Sequence, residues 1–467
     1  MAQNFVECDR DQELLLPPSL RDWLPEGHLA WFVIDAVAEV DLSAFYGAYR
    51  ADGHGRPAHD PAMMVALLLY GYAIGERSSR RLERRCVEDV ASRVICANRA
   101  PDHTTISRFR QRHETALAEL FGQVLALCAE SGLVRVGVVA VDGTKVAANA
   151  APQASRDYEQ IAREILAEAD AVDAEEDERL GEARGDELPP ELATAQGRRG
   201  WLREAERRLD DKRAEEAMPI PRDRPDRLRE AKRRLEEEHR VECQANAAYE
   251  DYRARGRMKD GRRFGRPPEP FEPPERPLGK VNLSDLDSRN VKTSRGWVQG
   301  YNAQAVATEE QIVIAAEVTV ASPDFGQLEP MIIAARHELR GAGVEQPPAI
   351  VLADAGYWHQ AQMDRLTGDG LTVLIPPDAK KRAGARPGWD GGLYAFMRRV
   401  LQTDAGGALY AKRQTMIEPI FADTKFNRRI DRFLRRGRSA ARSEWRLTNA
   451  AHNLLKLWRH TSAPAAA

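Results

Sequence analysis

The chain has 467 residues, 43% of them hydrophobic and 30% charged, which is enough material for about two or three domains with self-sufficient cores. Its formal net charge of -3 supplies no overall attraction for a polyanion, so any nucleic-acid surface has to arise from local clustering. Five cysteines (Cys8, Cys86, Cys96, Cys128 and Cys243) without a Cys-x-x-Cys pair argue against a disulfide framework or a cysteine zinc site. The start of the chain lacks a basic and apolar leader, and no apolar run approaches membrane length, so the expected location is the cytoplasm.

Residues 27 to 135 read as helical. "HLAWFVIDAVAEV" and "PAMMVALLLYGYAIG" have helix-length apolar content, and "TALAELFGQVLALCAES" repeats with period 3.6. From Glu76 to Arg112 there are ten arginines and five acids, a local surplus of +5. In "APDHTTISRFRQRH", Asp102 is an N-cap candidate, Ile106 and Phe109 form an apolar edge, and Thr104, Thr105, Ser107, Arg108 and Arg110 remain for solvent or a ligand. Short hydroxyls and arginines near a helix start suit phosphate and base-edge contacts, as in a helix-turn-helix; an ordinary solvated amphipathic helix fits equally well.

The next element, "VGVVAVDGTKVAAN" (137 to 150), is a β-branched strand that runs into Asp142. Asp-Gly after such a run is a hairpin signal. An aspartyl-phosphate site would need a second aspartate where Ala140 stands. The third reading is a metal ligand whose partners lie far along the chain.

Residues 153 to 265 change character: between Trp201 and Arg240, 25 of 40 residues are charged, 13 basic and 12 acidic. Such balance in an Ala, Leu, Glu and Arg background reads as a helical arm or hairpin, with Leu202, Leu209, Leu228 and Leu235 too sparse for a large core. The proline-rich "RPPEPFEPPERPLG" then reads as an extended linker. Beyond it, "GWVQGYNAQAVAT" and "QIVIAAEVTV" form a hairpin, "GQLEPMIIAARHELRGAG" a helix closed by glycine, "AIVLADAGY" and "LTVLIPP" short strands, and most of the remainder helix. The resulting expectation is an α/β RNase-H-like core (136–152 and 266–460) with an all-α N-terminal domain (1–135) and a charged helical insertion (153–265).

Asp142 and Asp354 both close apolar strands, where open α/β sheets build their sites, and Glu418 lies in a C-terminal helical stretch. Three converging carboxylates suit two Mg²⁺ ions about 3.5 to 4 Å apart acting on a phosphodiester, with Mn²⁺ as a substitute.

The pieces "DPAMMVALLLYGYAIGERSSRRLE", "PDHTTISRFR", "AVDGT", "DLDSRNVK", "QGYNAQ" and "LADAGY", with the stretch from "MIEPIFADTKFNRR" to "EWRLTNAAHNLLKL", together resemble DDE transposases of bacterial insertion sequences. The resemblance spans nearly everything except the charged insertion and the extreme termini. It implies Asp142, Asp354 and Glu418 as catalytic triad, Mg²⁺ as cofactor, double-stranded DNA (element ends and target) as substrate, and a homodimer or higher oligomer in the DNA complex. The family's last block has Tyr, Arg, Glu and Lys at set intervals; Tyr410, Arg413, Glu418 and Lys425 match it, with one extra residue between Arg413 and Glu418, and the resemblance implies that Tyr410, Arg413 and Lys425 contact DNA. Lys425 is expected two turns beyond Glu418 on one helix face, although Pro419 disfavours helical geometry at Glu418.

Asp285 and Asp287 match a family block but read first as turn formers, Asn302 and Gln304 as buttresses on one strand face, and His103 and His452 as structural. From Thr424 to Arg446 nine Lys or Arg face two acids, a surplus of +7, so Arg428, Arg429, Arg435 and Arg436 are expected to grip phosphates while Arg108 and Arg110 read element ends. Two other functions share these features: an RNase-H-like nuclease or resolvase, and an inactive DNA-binding relative.

Overall fold

The computed structural model describes residues 5–6, 8–12, 19–52, 57–180, 221, 223–255, 274–293, 296–378 and 392–462. Leu202, Leu209 and residues 266–273 of the proline-rich piece lie outside the described residues. The chain divides into two compact units, residues 1–149 with 289–467, and residues 150–288.

In the first unit, a set of helices precedes a mixed α/β region: α1 (Leu29–Glu39), α2 (Pro61–Ala73), α3 (Ser79–Glu88), α4 (Val90–Ile95), α5 (His103–Arg112) and α6 (Glu114–Glu130). Helix α2 is apolar on every side and is buried along nearly its whole length. Asp60 caps it through the Ala62 amide, Pro61 fills the first helical position, and Gly75 at φ +81° turns the chain after its end.

The sheet holds β1 (Val138–Ala147), β2 (Arg289–Thr293), β3 (Gly296–Thr308), β4 (Val313–Thr319), β5 (Ile350–Ala353) and β6 (Thr372–Leu374). Its order is β6-β5-β1-β3; the first part of β3 then pairs with β2 and its later part with β4. Strands β1, β5 and β6 are mutually parallel, whereas β2 and β4 both run antiparallel to β3, and β3 antiparallel to β1. Val138 to Val141 are buried on both faces, as an uninterrupted β-branched run in a central strand should be. From Asp142 onward the burial of β1 becomes partial, yet the strand continues through Ala147.

That continuation corrects two expectations. Asp142 and Gly143 form no hairpin turn, and Asp142 sits in mid-strand rather than at the strand's end. A ladder with β3 that includes Asp142↔Ala305 and Gly143↔Gln304 holds both residues extended.

Helices α7 (Leu328–Gly341), α8 (Gln360–Gly368), α9 (Gly392–Gln402), α10 (Asp404–Ala422) and α11 (Arg438–Ser462) complete this unit. Helix α7 buries Leu328, Met331, Ile332, Ala335 and Leu339 beside the sheet. The long α11 packs on α6, α2 and β4. Its buried Asn453 accepts from the Val313 amide at 2.9 Å and donates to the Val313 carbonyl at 2.8 Å, so a side chain pairs the backbone that the end of β4 presents.

The second unit contains the helices Tyr158–Leu180 and Arg224–Arg255 and an antiparallel pair, Ser155–Asp157 with Lys280–Asn282. Its sparse apolar residues make a small core: Leu228 and Leu235 meet Ile161, Ala231, Val281, Leu283 and Leu286. Asp287 is ion-paired to Arg234 at 2.5 Å and Asp285 is buried, both within this unit.

Candidate active site

The parallel ladder between β1 and β5 ends at Val141↔Ala353. The next residue on each strand is an acid, so the register itself sets Asp142 and Asp354 side by side. The two are held differently. Asp354 caps the turn Ala355–Tyr357 by accepting from the Gly356 amide at 2.8 Å. Asp142 accepts from the Gly143 amide at 2.8 Å and from Arg413 Nη1 at 2.7 Å.

Arg413 comes from α10 and its other nitrogen, Nη2, lies 3.3 Å from Glu418 Oε1. One guanidinium therefore spans Asp142, whose side chain is 15% exposed, and Glu418, which is 51% exposed. Helix α10 runs unbroken through Pro419 to Ala422, so proline neither starts nor ends the helix at Glu418. Burial pushes the Asp142 carboxyl up to about 6; Arg413 opposes the rise, and the neighbouring Asp354 and Asp324 carboxylates add to it. Tyr410 is also pushed up, by burial first, with Arg413 opposing.

Asp324 was not singled out from the sequence. Its Oδ1 accepts from Lys145 Nζ at 3.0 Å, Asn302 Nδ2 at 2.8 Å and Gln304 Nε2 at 2.8 Å. Gln304 in turn accepts from the Tyr357 hydroxyl, and its backbone carbonyl accepts from Trp445 Nε1 at 2.9 Å. Strand alternation puts Gly143, Lys145, Asn302 and Gln304 on one face of the sheet and Asp142 on the other. Gly143 is required by this network: a Cβ there would collide with the Gln304 amide and stand 2.7 Å from Asp324 Oδ1. The only signal in the sequence was the i, i+2 spacing of Asn302 and Gln304, which says that two amides share a face but not which acceptor they share.

The carboxylates of Asp142, Asp354 and Glu418 offer hard oxygen donors of the kind Mg²⁺ or Mn²⁺ prefers. Asp142's raised proton affinity beside two like charges is a strain that a bound cation would relieve. In this structure the cation joining Asp142 to Glu418 is the Arg413 guanidinium, and among the described residues no three His, Cys, Asp or Glu side chains form a metal cage.

The remaining sequence candidates separate. Arg108 is exposed on α5, as expected, whereas Arg110 is only 5% exposed and belongs to the buried side with Ile106 and Phe109. Helix α5 has just under three turns, and Arg110 lies four residues after Ile106, which returns it to the buried face. Lys425 lies past α10 in a π-helical turn, Asp423–Asn427, and donates to the Lys145 carbonyl at 2.9 Å, so it does not continue the face of Glu418. Arg428 is 3% exposed and bonds Asp423, Thr424 Oγ1 and the Thr448 carbonyl; the phosphate grip expected of it is not open to it. Arg429 and Arg436 are exposed, while Arg435 pairs with Glu114.

The +7 surplus is also partly answered from within. Arg428 pairs with Asp423, Arg435 with Glu114, Arg442 with Glu317 and Arg446 with Glu338, three of these acids coming from distant parts of the sequence. DNA is therefore not the counter-ion of the whole run. His103 bonds Glu83 at 2.8 Å and buried His452 meets the Gln311 carbonyl at 2.9 Å, both structural arrangements.

The described residues contain no helix long and apolar enough to cross a membrane. No curated protein and no solved structure matches the chain. Two family models do: a transposase domain (DUF772) matches residues 18–112, and a transposase DDE domain matches residues 390–458, the segment that holds Tyr410, Arg413, Glu418 and Lys425. With a transposase domain at each end of its mixed α/β unit, the chain belongs to the DDE transposases of insertion sequences.

Proposed function

We propose that this transposase cleaves DNA at the ends of its insertion sequence and joins the freed ends to target DNA, using Asp142, Asp354 and Glu418 as its catalytic acids. The observation that carries the reading is the β1/β5 register, which ends one residue before both aspartates, together with the Arg413 bridge from Asp142 to Glu418. The strand order, in which an antiparallel set β4-β3-β1 is extended by parallel β5 and β6, supports an RNase-H-like core.

Mg²⁺ held by these three acids would supply the positive charge that activates an attacking oxygen and stabilises a leaving one at a phosphodiester. The chain's own part is to hold the acids. The β1/β5 pairing fixes the two aspartates, the Gly356 amide orients Asp354, and Arg413 offsets part of the charge of Asp142 and Glu418 until a cation competes for them. Water attacking the scissile phosphorus forms one P–O bond as the bond to the 3′ oxygen breaks, and the freed 3′ hydroxyl is the nucleophile of the joining step. Residues 1–135 are the proposed DNA-binding region and 153–265 the proposed arm.

The test is to incubate the protein with Mg²⁺, a supercoiled target plasmid and a duplex that carries the element's end and its flank. Cut ends that expose a 3′ hydroxyl, and later plasmid joined to those ends, are the expected products. Cutting without joining would assign the chain to the nuclease or resolvase class, and binding without either reaction would mark an inactive relative.

A further inference from the structure

The N-terminus of α3, the buried side of α5 and the segment leading into α11 enclose a cleft of about 530 Å³. Among the described residues, five arginines (Arg77, Arg80, Arg110, Arg435 and Arg436) line it against a single acid, Glu114, and none of the three proposed catalytic acids lines it. Two of the arginines are already neutralised: Arg77 pairs with Glu444 at 2.5 Å and Arg435 with Glu114. Arg80 and Arg436 are exposed.

Arg110 is the anomaly. It is 5% exposed, and its Nε and Nη2 atoms are buried with no hydrogen-bond partner among the described residues. A guanidinium out of water with unpaired nitrogens is unfavourable, more so in a cleft where arginines outnumber acids, unless an anion enters to share it. The rest of the cleft suits an anion with several oxygens. Helix α3 opens onto it at Ser78 and Ser79, and Ser78 makes no side-chain capping bond, so the cap leaves first-turn amides and the positive end of the helix dipole to a ligand.

We propose that this cleft is an oxyanion site that seats one phosphate group of a DNA strand, with Arg110 as its buried floor and Arg80 and Arg436 at its rim. The identity of the strand rests on the proposed function; the anion chemistry does not. Because arginine forks match phosphate oxygens bidentately, the site would fix the position of one phosphate rather than act as a diffuse basic surface.

The experiment compares the full-length protein with Arg110→Gln, Arg110→Lys and the rim variant Arg436→Gln. Titration calorimetry with pyrophosphate is followed by salt titrations of a short oligonucleotide with and without a 5′ phosphate, and thermal unfolding is measured with and without pyrophosphate. The expected result is pyrophosphate binding weakened roughly ten- to hundredfold by Arg110→Gln, as loss of a charge-assisted hydrogen bond to a buried group implies, with partial recovery in Arg110→Lys. The salt slope for DNA should fall by about one unit in Arg110→Gln and Arg436→Gln. A 5′-phosphate preference that Arg110→Gln abolishes would identify a strand end as the ligand, and equal effects on both oligonucleotides an internal phosphodiester.

Arg110→Gln should unfold no earlier than wild type without pyrophosphate, and only wild type should gain stability from it. Equal pyrophosphate affinity and equal stabilisation in wild type and Arg110→Gln would overturn the site while leaving the cleavage reading intact. Phosphate binding at Arg110 in a protein that neither binds nor cuts DNA would uphold the oxyanion site and remove the DNA reading.

Discussion

Replacing Asp324 with alanine removes the one acceptor shared by Lys145, Asn302 and Gln304. Gln304 is 1% exposed and its amide nitrogen would be left without that partner, at about 1–3 kcal/mol. Asn302 is fully buried but keeps a 3.2 Å bond to the Ala321 carbonyl, so its loss is smaller, about 0.5–1.5 kcal/mol. Lys145, with a side chain 16% exposed, can turn toward water and contributes about 1 kcal/mol at most. Removing a negative charge near Asp142 returns part of this, so the net expectation is a loss of about 2–4 kcal/mol. Urea unfolding followed by tryptophan fluorescence suits the measurement, because the buried Trp445 indole donates to the Gln304 carbonyl beside the network. Asp324→Asn keeps an oxygen acceptor and should lose about half as much. If Asp324→Ala cost less than about 0.5 kcal/mol, the network would not hold this face of the sheet together.

Three further outcomes follow from the same geometry. Gly143→Ala drives a methyl group into the Gln304 amide and Asp324, and should cost about 1–3 kcal/mol by overpacking; unfolding midpoints unchanged from wild type would contradict the close approach. Asp142 titrates near 6, above the ordinary carboxylate value, so the folded protein binds its proton more tightly than the unfolded chain does. This group's contribution to stability is thus fully present below the ordinary value and is lost as pH rises through about 6; Asp142→Asn should be about 1–3 kcal/mol more stable than wild type at pH 8 and close to it at pH 4, and equal stability at both would refute the assignment. Arg428→Ala strips the partner from buried contacts to Asp423, Thr424 and Thr448 and should lose about 3–5 kcal/mol, whereas Arg108→Ala on the exposed side of α5 should stay within about 0.5 kcal/mol, both read by denaturant unfolding.

Much of the architecture was legible because burial writes itself into local pattern. The β-branched run before Asp142 and the apolar run before Asp354 announced two strands, and the helix-length apolar content of "PAMMVALLLYGYAIG" announced α2. What the pattern could not carry was register. Whether Asp142 ended its strand depended on β3 reaching far enough to pair with Lys145 and Ala147, a long-range fact with no local signature. The Asp-Gly pair misled for a related reason, since glycine serves turns and close approaches alike, and only Asp324 and Gln304 reveal which is at work. Arginines were the least legible residues. Arg110, Arg428, Arg435 and Arg446 look like a basic field in one dimension, yet Glu114, Glu338 and Asp423 meet three of them in the fold, and Arg110 alone of the four has two buried nitrogens without a partner among the described residues. Asp324 was invisible because a single turn aspartate in "ASPDFG" carries no hint of the three donors that converge on it.

The most direct test of the proposed catalytic acids is single-turnover cleavage of an element-end duplex in Mg²⁺ by Asp142→Asn, Asp354→Asn and Glu418→Gln, with duplex binding measured on the same samples. Each variant should bind the duplex and fail to cut it, because each removes one of the three carboxylates proposed to hold the metal. Cleavage at a near-wild-type rate by any one of the three would contradict the account by removing that acid from the active site.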